Sequence, residues 1–131
     1  MTMSASSEPA ADGRPPMGVE EPAPDQLAAL FGALGDATCR VVLGTLREGD
    51  APMTVQELST AADVPLTSTY RKLDQLVDAG LVERWHDLDE DGHRRSRFRP
   101  AVNQIEVKLG SADGPAVTLY HAATELRAGF L

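Results

Sequence analysis

Cysteine, lysine and long apolar runs are all scarce in this sequence, and each scarcity excludes a class of protein. The single cysteine, Cys39, excludes a disulfide within the chain and a cysteine-rich zinc site. No apolar run approaches the roughly 18 residues that a membrane-spanning helix needs. The first residues have neither the basic start nor the apolar stretch of a secretory signal, so we expect a cytoplasmic protein with no membrane partner.

Acidic side chains are in clear excess. The 131 residues include 20 Asp and Glu but 12 Lys and Arg, which gives a formal net charge of −8 at pH 7. Only Lys72 and Lys108 are lysine. Many carboxylates with few lysines favour a protein that works in molar salt, where the Debye length falls to about 3 Å and self-repulsion is screened. An ordinary acidic protein is the alternative.

The length fits one folded domain with flanking segments. Residues 1–25 contain five prolines and almost no large apolar side chains. Such a segment cannot bury enough surface to offset its chain entropy, so we predict a disordered acidic tail. We assign residues 26–100 to the folded domain, and residues 101–131 to an extension that completes the core or a dimer.

Helical periodicity and capping residues predict four short helices in the first part of the domain. They are Gln26–Leu34 after Asp25, Ala37–Arg47 after Asp36, a short helix to Ala62 opened by the Thr54–Glu57 capping box, and Leu66–Ala79 before Gly80. The Asp63-Val64-Pro65 stretch between the last two is a predicted turn.

After Gly80 the apolar period changes from helical to alternating, which predicts two β-hairpins. Leu81–Asp87 and Arg94–Arg99 flank an Asp91-Gly92 turn, and Ile105–Leu109 and Ala116–Tyr120 flank a second turn. The final residues, about 122–130, are predicted to form a short helix. This order predicts a mainly α protein with a small β component: a winged helix-turn-helix with a three- to four-helix core and a β-hairpin wing.

Three stretches carry a family resemblance: LGDATCRVVLGTL, TVQELSTAADVPLTSTYRKLDQLVDAGLVER, and the hairpin with its Asp-Gly turn. Together they resemble the ArsR-like winged helix-turn-helix regulators, in the form found in halophilic archaea, over residues 26–100. The resemblance implies a homodimer that binds double-stranded operator DNA, and repression rather than activation. Metal-sensing members carry Cys-x-Cys before the turn, but residues 54–62 have no cysteine, which argues against metal sensing. Cys39 occupies a position where many relatives have arginine.

A helical wheel of residues 66–79 separates a core side from an exposed side. The predicted core side comprises Leu66, Thr69, Leu73, Leu76 and Val77. We expect the N-terminal half of the exposed side to enter the major groove, since Asp74 and Asp78 in the other half would repel phosphates. Arg71 suits a guanine edge, Thr67 and Ser68 suit phosphates or bases, and Tyr70 and Lys72 suit the DNA backbone. The alternative makes these residues helix-start and solvated side chains.

The wing, residues 81–99, carries a cluster of arginines: Arg94, Arg95, Arg97 and Arg99. Alternation places the last three on one face, and Phe98 on the other face and in the core. We expect the arginines to follow DNA phosphates or enter a minor groove. The alternative is that they pair with nearby carboxylates of the hairpin: Asp87, Asp89, Glu90 and Asp91.

The combined prediction is a sequence-specific DNA-binding transcriptional regulator that needs no cofactor. Salt cations could bridge its carboxylates to DNA. The predicted dimer contacts are apolar residues of the first helix and the C-terminal end: Leu27, Leu30, Phe31, Leu34, Leu126, Phe130 and Leu131. A protein-interaction module without DNA readout is one alternative. Another is a thiol-based redox regulator that uses Cys39, with Arg40 and the helix N-terminus lowering the pKa of its thiol.

Catalytic and metal chemistry find little support in the sequence. His86 and His93 lie near the aspartates of the wing hairpin, but solvated turn residues explain them better than a metal site does. No nucleophile motif, phosphate-binding loop or pair of carboxylates at catalytic spacing is present, so an enzyme is not expected.

Overall fold

The computed structural model describes residues 18–110, 114 and 116–121. The predicted helix at residues 122–130, with the dimer candidates Leu126, Phe130 and Leu131, lies outside them. The elements are β1 (Val19–Glu20), α1 (Pro24–Leu34), α2 (Ala37–Glu48), α3 (Val55–Ala62), α4 (Leu66–Asp78), β2 (Val82–Leu88), β3 (Arg94–Pro100), β4 (Val102–Lys108) and β5 (Ala116–His121). They divide into a helix–wing unit, Ala23–Ala101, and a sheet unit formed by the residues before and after it.

Side-chain caps fix the starts of α2 and α3 as predicted. The Asp36 carboxylate accepts a hydrogen bond from the Cys39 amide at 2.8 Å. At α3, Thr54 Oγ1 accepts from the Glu57 amide at 3.2 Å, and the Glu57 carboxylate accepts from the Thr54 amide at 2.9 Å. This reciprocal pair satisfies two amides that the first helical turn leaves without partners.

The start of α1 differs from the prediction. The helix begins at Pro24, and its N-cap residue Ala23 makes no side-chain cap. Proline suits this position because its fixed φ is helical and its missing N–H would have no partner there. Asp25 therefore lies in the first turn of α1, where its carboxylate accepts from the Gln26 amide at 3.1 Å.

The helix–wing unit is held together by a core shared among all four helices and the wing. Its buried residues include Leu30, Ala33, Cys39, Val42, Leu46, Val55, Leu58, Thr69, Leu73, Leu76, Ala79, Leu81 and Phe98. Leu66 was predicted to be in the core but is 42% exposed. The buried side of α4 begins one turn later at Thr69, whose hydroxyl bonds to the Pro65 carbonyl at 3.0 Å. Within the described residues no single helix could cross a membrane, and α1 with α2 pass only as a pair bent by 88°.

The wing is the antiparallel pair β2–β3, in which Trp85 lies opposite Arg97 and Asp87 opposite Arg95. Gly92 in the connecting turn has a φ of +83°, a conformation that favours glycine. This confirms the predicted Asp-Gly turn. Backbone hydrogen bonds between Met53 and Phe98, at 2.9 and 2.8 Å, attach β3 to the loop before α3. The wing is therefore fixed to the helix-turn-helix through its second strand.

The sheet unit has the strand order β1-β5-β4, with all pairs antiparallel. β4 and β5 form the predicted second hairpin. β1 lies in the segment predicted to be disordered: Val19 pairs with Tyr120, and the Glu20 carboxylate lies 2.7 Å from His121 Nε2. The prediction extended disorder too far because β1 obtains its hydrogen-bond partners from the other end of the chain. Residues 1–17 lie outside the described part.

Candidate nucleic-acid interface

The turn between α3 and α4 sets the direction of α4. Asp63 has left-handed backbone angles, φ 57° and ψ 49°, which aspartate tolerates better than most residues. The Val64 amide then donates to the Ser59 carbonyl at 3.1 Å, and the Ser59 hydroxyl donates to the Val64 carbonyl at 2.5 Å. Pro65 follows as the N-cap of α4. These contacts give the tight connection that a helix-turn-helix requires.

The N-terminal half of α4 presents polar side chains away from the core. Thr67, Tyr70 and Arg71 are exposed and Ser68 is half-buried, so the structure brings four of the predicted DNA-binding residues onto one surface. In the described part of the chain, Arg71 makes no hydrogen bond or ion pair. Its guanidinium is therefore available to an external acceptor.

Lys72 is engaged inside the protein. Its ammonium lies 2.7 Å from the Asp36 carboxylate, and only 17% of its side chain is exposed. The hydrogen bond from Lys72, followed by that from the Cys39 amide, lowers the pKa of Asp36 to about 2. The pair ties α4 to the N-terminus of α2, so this lysine orients α4.

Most wing arginines are paired with carboxylates, and of the partners that the alternative hypothesis named, Asp87 is the one they contact. Arg95 and Arg97 both contact Asp87, at 3.4 and 3.0 Å. Arg97 also lies 3.6 Å from Glu57 and donates to the Pro52 carbonyl at 3.2 Å. These contacts attach the wing to the segment that opens α3.

Arg99 has two partners of its own. It lies 2.8 Å from Glu83, and its guanidinium stacks 4.1 Å from the centre of the Trp85 ring. Arg94 is exposed and, among the residues that the structure describes, makes no such contact. Its guanidinium is therefore available to an external anion.

An open groove of about 600 Å³ lies where the wing meets α3 and α4. Its lining includes Tyr70 from α4, Arg84 and His86 from β2, and Arg94 and Ser96 from β3. Arg84 and His86 were not among the predicted site residues. The strand register, which places His86 opposite Ser96, assigns them to this face, but that register is difficult to read from sequence alone.

The surroundings of Cys39 argue against the redox alternative. The side chain is fully buried. Burial, and secondarily the charge of Asp36, raises the pKa of the thiol, whereas the sequence had suggested that Arg40 and the helix N-terminus would lower it. The correction follows from geometry, because Arg40 points away and donates to the Leu34 carbonyl at 2.8 Å. A buried, protonated thiol is a poor nucleophile.

The wing turn gathers three potential metal ligands, Asp89, Asp91 and His93, whose ligand atoms lie within 4.8 Å of one another. The Asp89 carboxylate already accepts from the backbone amides of Asp91 and His93, at 2.9 and 2.8 Å. The cluster is thus explained by the hydrogen bonds that close the turn.

Comparison with known proteins identifies the central part of the chain. A family profile described as a helix-turn-helix domain matches residues 34–84, which include all of α2, α3 and α4. This confirms the predicted winged helix-turn-helix fold and agrees with the expectation of a DNA-binding protein rather than an enzyme. No curated protein matches the chain.

Several solved structures are similar to the chain. A possible transcriptional regulatory protein from Mycobacterium bovis is 30% identical, with 59% of this chain and 75% of that chain covered and a TM-score of 0.49. An ArsR family transcriptional regulator is 33% identical, with 62% and 76% covered and a TM-score of 0.47. A possible transcriptional regulator from Methanosarcina mazei Go1 is 17% identical, with 56% and 63% covered and a TM-score of 0.45.

Proposed function

We propose that this winged helix-turn-helix protein, a DNA-binding transcriptional regulator, is an ArsR-like repressor that binds operator DNA as a homodimer in the cytoplasm. The observation that carries the proposal is the surface formed by Thr67, Ser68 and Arg71. It lies on the N-terminal half of the second helix of a helix-turn-helix, the part that such domains direct toward base edges.

Readout of sequence is assigned to Arg71. A guanidinium can donate two hydrogen bonds to the O6 and N7 atoms of guanine, and such a pair discriminates against other bases by about 1–3 kcal/mol. Thr67 and Ser68 bind phosphates or base edges beside it. Tyr70 lies at the flank that faces the groove and suits the DNA backbone.

The wing has a smaller role in binding than its arginine content suggests. Arg94 binds the backbone or a minor groove. Arg95, Arg97 and Arg99 contribute mainly by stiffening the hairpin, because each is already paired with a carboxylate. They can reach DNA only by giving up those partners.

The dimer and the repressor role rest on the family resemblance. Of the four α1 residues expected at the dimer contact, Leu30 is fully buried inside the chain, whereas Phe31 is 44% exposed. Leu27 and Leu34 are half-buried. Phe31 is therefore the α1 residue best placed to meet a second copy. A dimer that covers a promoter excludes the polymerase, which is the simplest route to repression.

The test is selection of duplexes from a random-sequence library by the wild-type protein, followed by affinity measurements on the selected and a scrambled duplex. Arg71→Ala should weaken binding to the selected duplex by about 1–3 kcal/mol and reduce the preference over the scrambled duplex. Arg71→Lys keeps the charge but cannot make the bidentate hydrogen bonds to guanine. It should therefore recover the non-specific affinity that Arg71→Ala loses, without recovering the preference for the selected duplex. Lys108→Ala removes one charge from the sheet unit and serves as the matched control.

A folded wild type that selects no duplex would contradict the proposal. That result would favour a protein-interaction module, which the carboxylate pairing of three wing arginines also permits.

A further inference from the structure

The groove between the wing and α4 is locally cationic in an acidic protein. Its lining contains three arginines, Arg84, Arg94 and Arg95, against two carboxylates, Glu57 and Asp74. The whole chain, by comparison, has a net charge of −8. An anionic group therefore meets a lining with more positive than negative side chains in this groove.

The carboxylate of Asp74 holds one of these cations. Arg84 Nη2 lies 2.6 Å from Asp74 Oδ1, and the two side chains are 38% and 68% exposed. An exposed pair of this kind contributes little to stability, because water and salt screen it and both side chains lose entropy. An anion of higher charge density at the same place can compete for Arg84.

The other donors of the groove are free or weakly engaged. Within the described ranges, the Tyr70 hydroxyl and the Arg94 guanidinium make no hydrogen bond. Ser96 Oγ lies 3.2 Å from His86 Nδ1, at the edge of hydrogen-bonding distance. A phosphate has enough acceptor oxygens to use several of these donors at once.

We propose that this groove binds a phosphodiester of the DNA strand that runs beside α4, and that Asp74 is its internal competitor for Arg84. The inference rests on the proposed function, since it is α4 in the major groove that brings a backbone strand past Tyr70. Binding exchanges the Arg84–Asp74 contact for an Arg84–phosphate contact, and Arg94 adds the second charge. Asp74 thus sets the affinity for DNA without touching a base.

The test is a gain of affinity, which an unfolded variant could not produce. Asp74→Asn should release Arg84 and tighten binding to both the selected and the scrambled duplex by roughly threefold or more, with the log–log salt slope steeper by about 1. Asp78→Asn is the matched control: this residue lies one turn later on α4, is exposed, and has no ion-pair partner among the described residues.

A double variant, Arg84→Gln with Asp74→Asn, distinguishes a specific effect at the groove from a general effect of charge on DNA affinity. In an Arg84→Gln background, the gain from Asp74→Asn should fall to that from Asp78→Asn. Equal gains from both aspartates, unaffected by Arg84, would overturn the inference while selective binding by the wild type upheld the proposed function. A wild type without any DNA binding would overturn both.

The donors of the groove suit a free phosphate ion as well as a phosphodiester of DNA. Titration with inorganic phosphate, followed by calorimetry, distinguishes these two ligands. We expect no Arg84-dependent heat at millimolar phosphate. Saturable, Arg84-dependent phosphate binding that left DNA affinity unchanged would make the groove a small-anion site and overturn its assignment to DNA.

Discussion

Cys39 shows how the surroundings of one residue determine its chemistry. Because the thiol is fully buried and its pKa is raised, the reactive thiolate is scarce and shielded. We expect a thiol reagent such as dithiobisnitrobenzoate to leave the native protein unlabelled and to react fully after denaturation, measured by absorbance. Labelling of the folded protein at the rate of a free cysteine would contradict this. Cys39→Ser should leave any response of DNA binding to oxidants unchanged.

The lowered pKa of Asp36 predicts that the stability of the fold depends on pH in the acid range. Its pKa is about 2 in the folded protein, against an ordinary value of 3.8, chiefly because of Lys72. A lowered pKa means that the carboxylate stabilises the fold above pH 3.8, and that this contribution is lost as the pH falls toward 2. The melting temperature should therefore decline across that window in the wild type and decline less in Asp36→Asn.

The same variant should melt lower than the wild type at neutral pH, because it loses the ion pair to Lys72 and the negative charge that the N-terminus of α2 favours. Asp50→Asn, which removes an exposed carboxylate from the loop after α2, is the control. If the melting temperatures of Asp36→Asn and wild type fell equally between pH 4 and pH 2, Asp36 would not be the cause of the pH dependence.

At the scale of elements, α4 offers an internal comparison between two leucines of the same helix. Leu76 is 1% exposed and Leu66 is 42% exposed. Leu76→Ala should lower the free energy of unfolding by about 2–5 kcal/mol, because it removes buried methyl groups and leaves a cavity. Leu66→Ala should cost less than about 1 kcal/mol, since little buried surface is lost. Denaturant titration measures both, and similar losses would place Leu66 in the core after all.

The elements that sequence predicted correctly are those with signals a few residues apart. Asp36 caps an amide three residues away, Thr54 and Glu57 cap each other, and the Asp91-Gly92 turn joins adjacent strands. Periodicity likewise placed Phe98 in the core. In each case the interacting residues lie close together in the sequence, so a short segment is enough to predict the element.

The parts that sequence missed depend on partners far along the chain. Lys72 meets Asp36 across 36 residues, and His121 meets Glu20 across 101. The place of Arg84 in the candidate site depends on the strand register and on its contact with Asp74, ten residues away. Alternation could place wing arginines on one face, but whether a carboxylate or DNA neutralised them required the three-dimensional pairing.

For the whole molecule, the placement of charge predicts an unusual dependence of DNA affinity on salt. Affinity falls with salt in proportion to the phosphates that a protein neutralises. In the proposed interface, Arg71 and Arg94 are the arginines without ion-pair partners among the described residues. We therefore expect a shallow negative log–log slope from about 0.2 to 2 M KCl, with uptake of cations between Asp78 and phosphates flattening it further. A slope as steep as about −10 for the homodimer would contradict this, since it implies that the paired arginines of both copies turn to DNA.

The pairing of β1 with β5 has a consequence for synthesis on the ribosome. Val19 cannot meet its partner Tyr120 until nearly all of the described chain has been made. The helix–wing unit, Ala23–Ala101, is complete well before then. Because bringing distant segments together costs loop-closure entropy, strands that pair across such a separation form late. The nascent chain can therefore form its helix–wing unit first, and the sheet unit closes only after β5 has been made.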